Sequence, residues 1–356
     1  RAWAAANPWL SAELAAAGAT GKPRSFLDAD LVTVGGDKIS ANVSIVPLMI
    51  EGEQQGLVIL VEDITEGKRL QGAMRRFMSQ NVVDQIMGRE DELLFGAACA
   101  ASVLFADIRG FTNLSEALGP RDTVDMLNEI FTDLFEAVAA SGGVLDKYIG
   151  DAIMAVYGAP LSSGRDGLNA VESAITMSAM MVAINQRRAS RGLPPVALGL
   201  GIASGEVVAG TIGSPKRMDY TVIGDCVNLA SRLEAITKTY KAPIVVCEDT
   251  AAEVGDTHPM RELDIIRVRG RQRPVRIYQV ITADNPIPPE VVEAYARGRA
   301  AVAERRFGDA VAAFEAALAA APGDYATSLM LDRARILAAR APPADWDGVW
   351  ESLAAA

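Results

Sequence analysis

The sequence predicts an α+β fold, and three patterns point to it. From Ala100 onward the chain alternates strand, helix, strand, strand, helix, strand. Ahead of that block, Leu31 to Val34, Ile39 to Val46 and Gly56 to Val61 alternate or run apolar between turn signals, as an antiparallel meander does. Behind it, beyond Pro286, Pro288 and Pro289, the chain turns Ala-rich and helical.

Composition bounds what such a chain does. With 356 residues, two to three domains fit. Half of the residues are hydrophobic and 22% are charged, which suits packed cores rather than disorder. A net charge of −11 argues against nucleic acid as a partner, because neutralising phosphates needs basic surface. The three cysteines, Cys99, Cys226 and Cys247, have no metal-ligand spacing and do not pair off evenly. With no signal peptide visible, the expectation is a reducing, cytoplasmic setting. The longest apolar stretches, such as Ala174 to Ile184, are too short to span a bilayer of about 30 Å, so no membrane segment is expected. His258 precedes a proline in a turn-like segment and reads as structural.

The meander at the start is followed, from Lys68 to about Met87, by one expected helix. Its apolar residues Leu70, Ala73, Met74, Phe77, Met78, Val82 and Ile86 recur at three- and four-residue steps. So narrow a stripe suits a dimeric seam, the alternative being a linker helix lying on the domain that follows. In the central block, Val103 to Ala106 is a short apolar run that delivers Asp107 to a strand tip. Gly110 lets the backbone turn, and a helix is expected from about Asn113 to about Ala140, where Gly142-Gly143 break it. Two apolar strands then turn around Gly150-Asp151. A second helix, about Arg165 to Ala189, carries Ala174, Met177, Met180, Met181 and Ile184 on one face, a core stripe. Val196 to Ala203 and Glu206 to Ile212 read as a hairpin around Ser204-Gly205.

Strand, helix and strand separate Asp107 from Asp151, so the two acids should sit at neighbouring strand ends. Unpaired carboxylates that close repel one another unless cations share them. A two-metal site is one reading of the pair; two surface turn aspartates is the other.

A third stretch, Asp219-Tyr-Thr221-Val-Ile-Gly-Asp225-Cys-Val-Asn228-Leu-Ala-Ser-Arg232, decides between them. With Phe105-Ala-Asp107-Ile-Arg-Gly-Phe-Thr112 and Asp146-Lys-Tyr-Ile-Gly-Asp151, the chain from about Ala100 to Ile281 resembles the catalytic domain of class III nucleotidyl cyclases. Within that family it is similar to the adenylate cyclases, in their threonine-bearing cyanobacterial and soluble-like subgroup. The resemblance implies a ferredoxin-like βαββαβ core. It also implies two divalent cations, Mg²⁺ or Mn²⁺, held by Asp107, Asp151 and the carbonyl of Ile108. The Gly110-Phe111-Thr112 turn would offer backbone N–H groups to phosphate oxygens.

Asn228 and Arg232 stand four residues apart, on one helix face. By resemblance Arg232 meets the α-phosphate and Asn228 positions the ribose or that same phosphate. Arg269 and Arg271 occupy the place of the family's phosphate-holding lysines, and which of them serves stays open. Lys147 and Thr221 would read the base. Lysine only donates, which suits N1 of adenine and opposes N1–H of guanine. Guanylate cyclases carry glutamate and cysteine at these positions, and Cys226 lies five residues late. The resemblance further implies a homodimer whose shared sites take the aspartates from one protomer and Lys147, Thr221, Asn228 and Arg232 from the other.

Two flanking resemblances complete the reading. Val61 to Arg69 is similar to the closing strand and exit motif of PAS domains, although the thirty residues before Leu31 do not hold such a domain's front part. The chain therefore reads as a fragment of a longer protein. Val291 to Ala320 looks like one tetratricopeptide-type hairpin, whose open face needs the rest of the chain or a protein partner. Trp346 and Trp350 need a docking surface as well. The expected organisation is thus 1–66 sensor remnant, 67–98 signalling helix, 99–283 catalytic domain and 290–356 helical tail. The expected activity is ATP cyclisation. Guanylate cyclase and a silent nucleotide-binding relay are the alternatives, while a diguanylate cyclase would need a different hairpin from Ile149-Gly-Asp-Ala-Ile.

Overall fold

The computed structural model describes residues 6–33, 35–50, 53–65, 96–214, 217–267 and 273–350. These fall into two compact units, one within residues 1–84 and one within 85–356. The expected helix from Lys68 to Met87 lies outside the described residues, as do Arg269 and Arg271.

In the first unit, α1 (Pro8–Thr20) starts on a proline, whose missing N–H costs nothing at a first turn, and stops at Gly21 in the left-handed region (φ 62°). The meander follows as β1 (Arg24–Val32), β2 (Lys38–Ile50) and β3 (Glu53–Asp63), paired antiparallel in that order. Ala41, Val43 and Ile45, every second residue of β2, are fully buried with Leu10 and Ala17 of the helix. The Asn7 side chain clamps the end of β1, donating to the Val32 carbonyl (2.9 Å) and accepting from its N–H (2.8 Å). The helix carries almost no amphipathic pattern, and sequence reasoning left it out.

The second unit is built on one sheet. Its strands are β4 (Ala97–Ile108), β5 (Val144–Ile149), β6 (Ala152–Tyr157), β7 (Leu198–Ser214), β8 (Arg217–Ile223), β9 (Ile244–Cys247), β10 (Met260–Ile266) and β11 (Val275–Val280). The order across it is β10-β11-β9-β7-β4-β6-β5, with β8 paired to β7. The stretch β7-β4-β6-β5 is antiparallel throughout, as the ferredoxin-like core requires.

Alternation along β4 fills two cores. Leu104, Ala106 and Ile108 pack under α3 (Pro120–Ala140) and α4 (Asp166–Ser190), while Ala101 and Val103 face α5 (Asp225–Tyr240). The methionine stripe of α4 lies in the first of these cores, with Ala174, Met177, Met181 and Ile184 buried and Met180 packed against them. At 25 residues α4 is, among the described residues, the one helix long and apolar enough to cross a membrane, but 56% of its apolar window is buried inside the fold.

Two expectations need correcting. The helix expected from Asn113 to Ala140 is two helices, α2 (Phe111–Leu118) and α3, because Gly119 (φ 79°) and Pro120 break the chain between them. Ser204-Gly205 is no turn. β7 runs unbroken through it, paired to β4 from Leu198 to Ala209, and the hairpin partner is β8. Ser204 Oγ is buried against Ser102 Oγ (2.8 Å), and a Cβ on Gly205 would sit 3.2 Å from Cys226 Cβ. Gly205 therefore marks the close approach of α5 to the sheet.

After β9 comes the short helix α6 (Glu248–Val254). The tail consists of α7 (Pro289–Ala303), α8 (Phe307–Ala320) and a further helix, α9 (Tyr325–Ala339). Phe314, Met330, Leu331 and Leu337 join the same core as Leu229 and Leu233 of α5, and Trp346 and Trp350 pack against it. The open face of the helical hairpin is thus covered by the chain's own α9 and sheet.

Candidate active site

Asp107 is the penultimate residue of β4 and stands opposite Ala152 of β6. Asp151 precedes that alanine in a turn that Gly150 makes in the left-handed region (φ 65°). The register thus sets Asp151 one residue beyond the position opposite Asp107, and the two carboxylates interact. Burial, followed by the facing Asp107 charge, pushes the Asp151 carboxyl above the usual range. Ile108 is 2% exposed, and its side chain is turned into the core.

Three residues that sequence reasoning missed surround the pair. Lys238 Nζ lies 3.2 Å from Asp107 Oδ2 and 3.9 Å from Glu234 Oε1. Arg109 holds Glu234 from the other side, donating through Nη1 to Oε1 (2.9 Å) and through Nη2 to the carbonyl (3.2 Å). Burial and then the Asp107 charge raise the Glu234 carboxyl. A Cβ on Gly199 would fall 1.5 Å from Arg109 Nη2, so glycine is what lets this guanidinium lie across β7. The available signal was Glu234 and Lys238 at i, i+4 on the helix of Asn228, with Arg109 two residues after Asp107.

Lys147 and Thr221 do meet. Lys147 Nζ donates to Thr221 Oγ1 at 3.2 Å, and Thr221 in turn donates to Asp146 Oδ2 at 2.6 Å. Asp146 lies 3.6 Å from Lys147 Nζ, and its side chain is only 5% exposed. Burial raises its carboxyl, against the lowering pull of Thr221 and Lys147. Asp146 opens the second motif, yet nothing in the sequence alone ties it to Thr221, 75 residues away. With Asp146 ionised, the one hydroxyl proton of Thr221 is committed to it and one lone pair accepts from Lys147. The threonine then has a single acceptor position left to offer.

Asn228 is exposed and Arg232 half-buried, one turn apart near the start of α5. Gly110 caps α2 in the left-handed region (φ 67°) with nothing within 4 Å of where a Cβ would be, and Thr112 in the first turn is exposed. Phe111 instead packs on the core. The structure therefore assembles an acidic pair beside Lys238, and separately a Lys147–Thr221–Asp146 relay. Among the described residues no three or more His, Cys, Asp or Glu gather as a metal cluster. Two facing carboxylates, one raised by the other, still form a donor set that a hard divalent cation fits.

An antiparallel βαββαβ sheet with paired acids at the tips of two central strands defines a class, and the family comparison agrees. The profile described as adenylate and guanylate cyclase catalytic domain matches residues 97–282, more than half of the chain, and the chain belongs to that family. Among curated relatives it is 35% identical to an adenylate cyclase of Anabaena cylindrica, over 60% of this chain and 43% of that one. It is 33% identical to adenylate cyclase 1 of Rhizobium meliloti, over 51% of this chain and 27% of that one. The chain thus spans less than half the length of these relatives. Among solved structures, that of the adenylyl cyclase CyaB from P. aeruginosa superposes with a TM-score of 0.51 at 35% identity, covering 55% of this chain and 100% of that one.

Proposed function

We propose that this chain is an adenylate cyclase, which converts ATP into 3′,5′-cyclic AMP and pyrophosphate by attack of the 3′-hydroxyl on the α-phosphorus. The observation that carries the reading is the facing of Asp107 and Asp151 across β4 and β6, supported by the kinship with adenylate cyclases. Asp107, Asp151 and the Ile108 carbonyl would hold two divalent cations, Mg²⁺ or Mn²⁺. Such ions, when bound, acidify the attacking hydroxyl and neutralise charge on the phosphates.

The protein's own groups do the rest. Arg232 places a fixed cation where charge develops on the α-phosphate, and Asn228 holds the ribose or that phosphate in line. Gly110, Phe111 and Thr112 present backbone N–H groups to phosphate oxygens, and Arg269 or Arg271 grips the leaving pyrophosphate. Lys147 donates to N1 of adenine. Thr221, its proton held by Asp146, accepts from the exocyclic amine, a pattern that guanine would oppose.

The active form in this reading is a homodimer with sites shared between protomers. The segments 1–66 and 67–98 act as PAS-like sensor and signalling helix, 99–283 as catalytic domain, and 290–356 as a tail bracing it. The test is conversion of ATP to cyclic AMP by the purified chain with Mn²⁺. Loss of product in Asp107→Ala supports the reading, and product formation that is indifferent to this substitution overturns it.

A further inference from the structure

The tail is fastened to the catalytic unit by buried charge, and one of the fastenings reaches the end of the helix that carries Asn228 and Arg232. Asp264, on β10, is 2% exposed. Its Oδ1 takes Arg299 Nη1 of α7 at 2.5 Å, and its Oδ2 takes Arg333 Nη1 of α9 at 2.7 Å. The same Oδ2 accepts from Tyr240 Oη at 2.7 Å, and Arg333 Nη1 lies 3.1 Å from that hydroxyl. Tyr240 is the last residue of α5 and is 2% exposed. Next to it, Lys241 Nζ sits 4.2 Å over the ring of Tyr325, the first residue of α9.

A second fastening stands beside the first. Arg261 of β10 pairs with Asp324, the cap of α9, through two bonds of 2.5 and 2.7 Å, and the Tyr295 hydroxyl of α7 donates to the Leu263 carbonyl at 2.8 Å. Partly exposed ion pairs contribute little to position, whereas a buried carboxylate shared by two guanidiniums and a phenol fixes its partners' geometry. A tail that only covered apolar surface would need none of these groups.

We infer that Arg333 is a positioning residue for catalysis, holding the C-terminal end of α5 through Tyr240 and Asp264 so that Asn228 and Arg232 meet the reacting phosphate in register. This rests on the cyclase reading above. Arg232 lies eight residues before Tyr240, about 12 Å along a rigid helix, so a tilt at one end is carried to the other. The groups so aligned act on charge that develops in the transition state, and their misplacement lowers kcat while leaving ground-state binding in place. β10, which bears Asp264, also leads in sequence toward Arg269 and Arg271.

The experiment compares Arg333→Met, Tyr240→Phe and the control Arg335→Met in the full chain with ATP and Mn²⁺, recording kcat, KM and amide hydrogen exchange over residues 236–241. Methionine at 333 joins Met330 and Leu337, and Asp264 keeps Arg299 and Tyr240, so the fold has its partners. Arg335 stands on the same helix but is exposed, pairing with Glu315 at 2.9 Å. The expected result for Arg333→Met is a kcat about tenfold lower with KM within about twofold, as for misalignment remote from the chemistry. Faster exchange at the end of α5 should accompany it. Tyr240→Phe, which removes one hydroxyl, should move the same way by about threefold, and Arg335→Met should move nothing.

Wild-type kcat and exchange in Arg333→Met would overturn the inference, as would an effect confined to KM. Should Arg333→Met fail to fold, Tyr240→Phe decides by the same criteria. If the wild-type chain makes no cyclic nucleotide, the function proposal fails by itself. Exchange over 236–241 then judges the fastening alone: unaltered protection in both variants refutes it, and faster exchange upholds it.

Discussion

Lys147→Glu reverses the charge at the centre of the relay that would read the base. In the structure Lys147 Nζ stands 3.2 Å from Thr221 Oγ1 and 3.6 Å from Asp146 Oδ2. The substitution takes a donor away from adenine N1 and sets a second carboxylate beside Asp146. Asp146 is already raised by burial and then loses the cation that pulls it down. An unmade hydrogen bond to a buried group costs about 1–3 kcal/mol. Since the Lys147 side chain is 40% exposed, the lower part of that range applies. A loss of about 1–2 kcal/mol is a fall of roughly 5- to 30-fold in kcat/KM for ATP. Glutamate accepts from guanine N1–H and N2–H, so GTP use should rise, though by less, because unpairing a group is easier than building a fit. Thr221→Cys alone should shift the ratio less than Lys147→Glu alone, since the threonine hydroxyl, donating to Asp146, has only one acceptor position to offer a base, and the double variant should shift it most. The assay is kcat/KM for both nucleotides with each single and the double variant at fixed Mn²⁺. An unchanged ATP:GTP ratio in Lys147→Glu would refute base reading by Lys147.

Other substitutions test the remaining parts. Asp107→Ala and Asp151→Ala should each abolish cyclisation with circular dichroism unchanged; near wild-type turnover in either refutes the paired-acid assignment. Mixing Asp107→Ala with Arg232→Ala chains should restore about a quarter to a half of wild-type activity through heterodimers with one intact site. No recovery despite demonstrated subunit exchange would place both halves in one chain. The Asp151 carboxyl is raised, so the fold disfavours its charged form. Its contribution to stability is full below the carboxylate's unfolded pKa and is lost as pH rises through the folded value. Without divalent cations, Asp151→Asn should therefore match or exceed the wild-type Tm at pH 7, by at most about 2 °C after solvent screening, and lose that margin near pH 3. Adding Mn²⁺ should stabilise the wild type and not the variant. A variant less stable than wild type at pH 7 without metal would contradict the repulsion between Asp107 and Asp151.

What could be read beforehand follows from how local each signal is. Asp107 and Asp151 were legible as a pair because a strand, a helix and a hairpin of standard length fix the register that faces them. The methionine stripe of α4 was legible because period and burial coincide. The Asp146–Thr221 bond and the Asp264–Arg299–Arg333–Tyr240 cluster were not, because they join residues tens of positions apart through side chains with no pattern of their own. Ser204-Gly205 misled since glycine serves turns and close approaches alike, and only the packed α5 shows which. The break at Gly119-Pro120 was written plainly in the sequence, but the amphipathic run on both sides masked it. Glu234 and Lys238 have the i, i+4 spacing of any exposed helix pair, and only the fold sets them against Asp107.

Formation of cyclic AMP, with adenine selected through Lys147, is the activity proposed for this chain. Its most direct measurement gives the purified wild-type protein ATP and GTP at equal concentration with Mn²⁺ and separates the cyclic products. The expected result is 3′,5′-cyclic AMP in large excess over cyclic GMP, with pyrophosphate released in equal amount to the cyclic product. Cyclic GMP in excess, or pyrophosphate without any cyclic nucleotide, would contradict it.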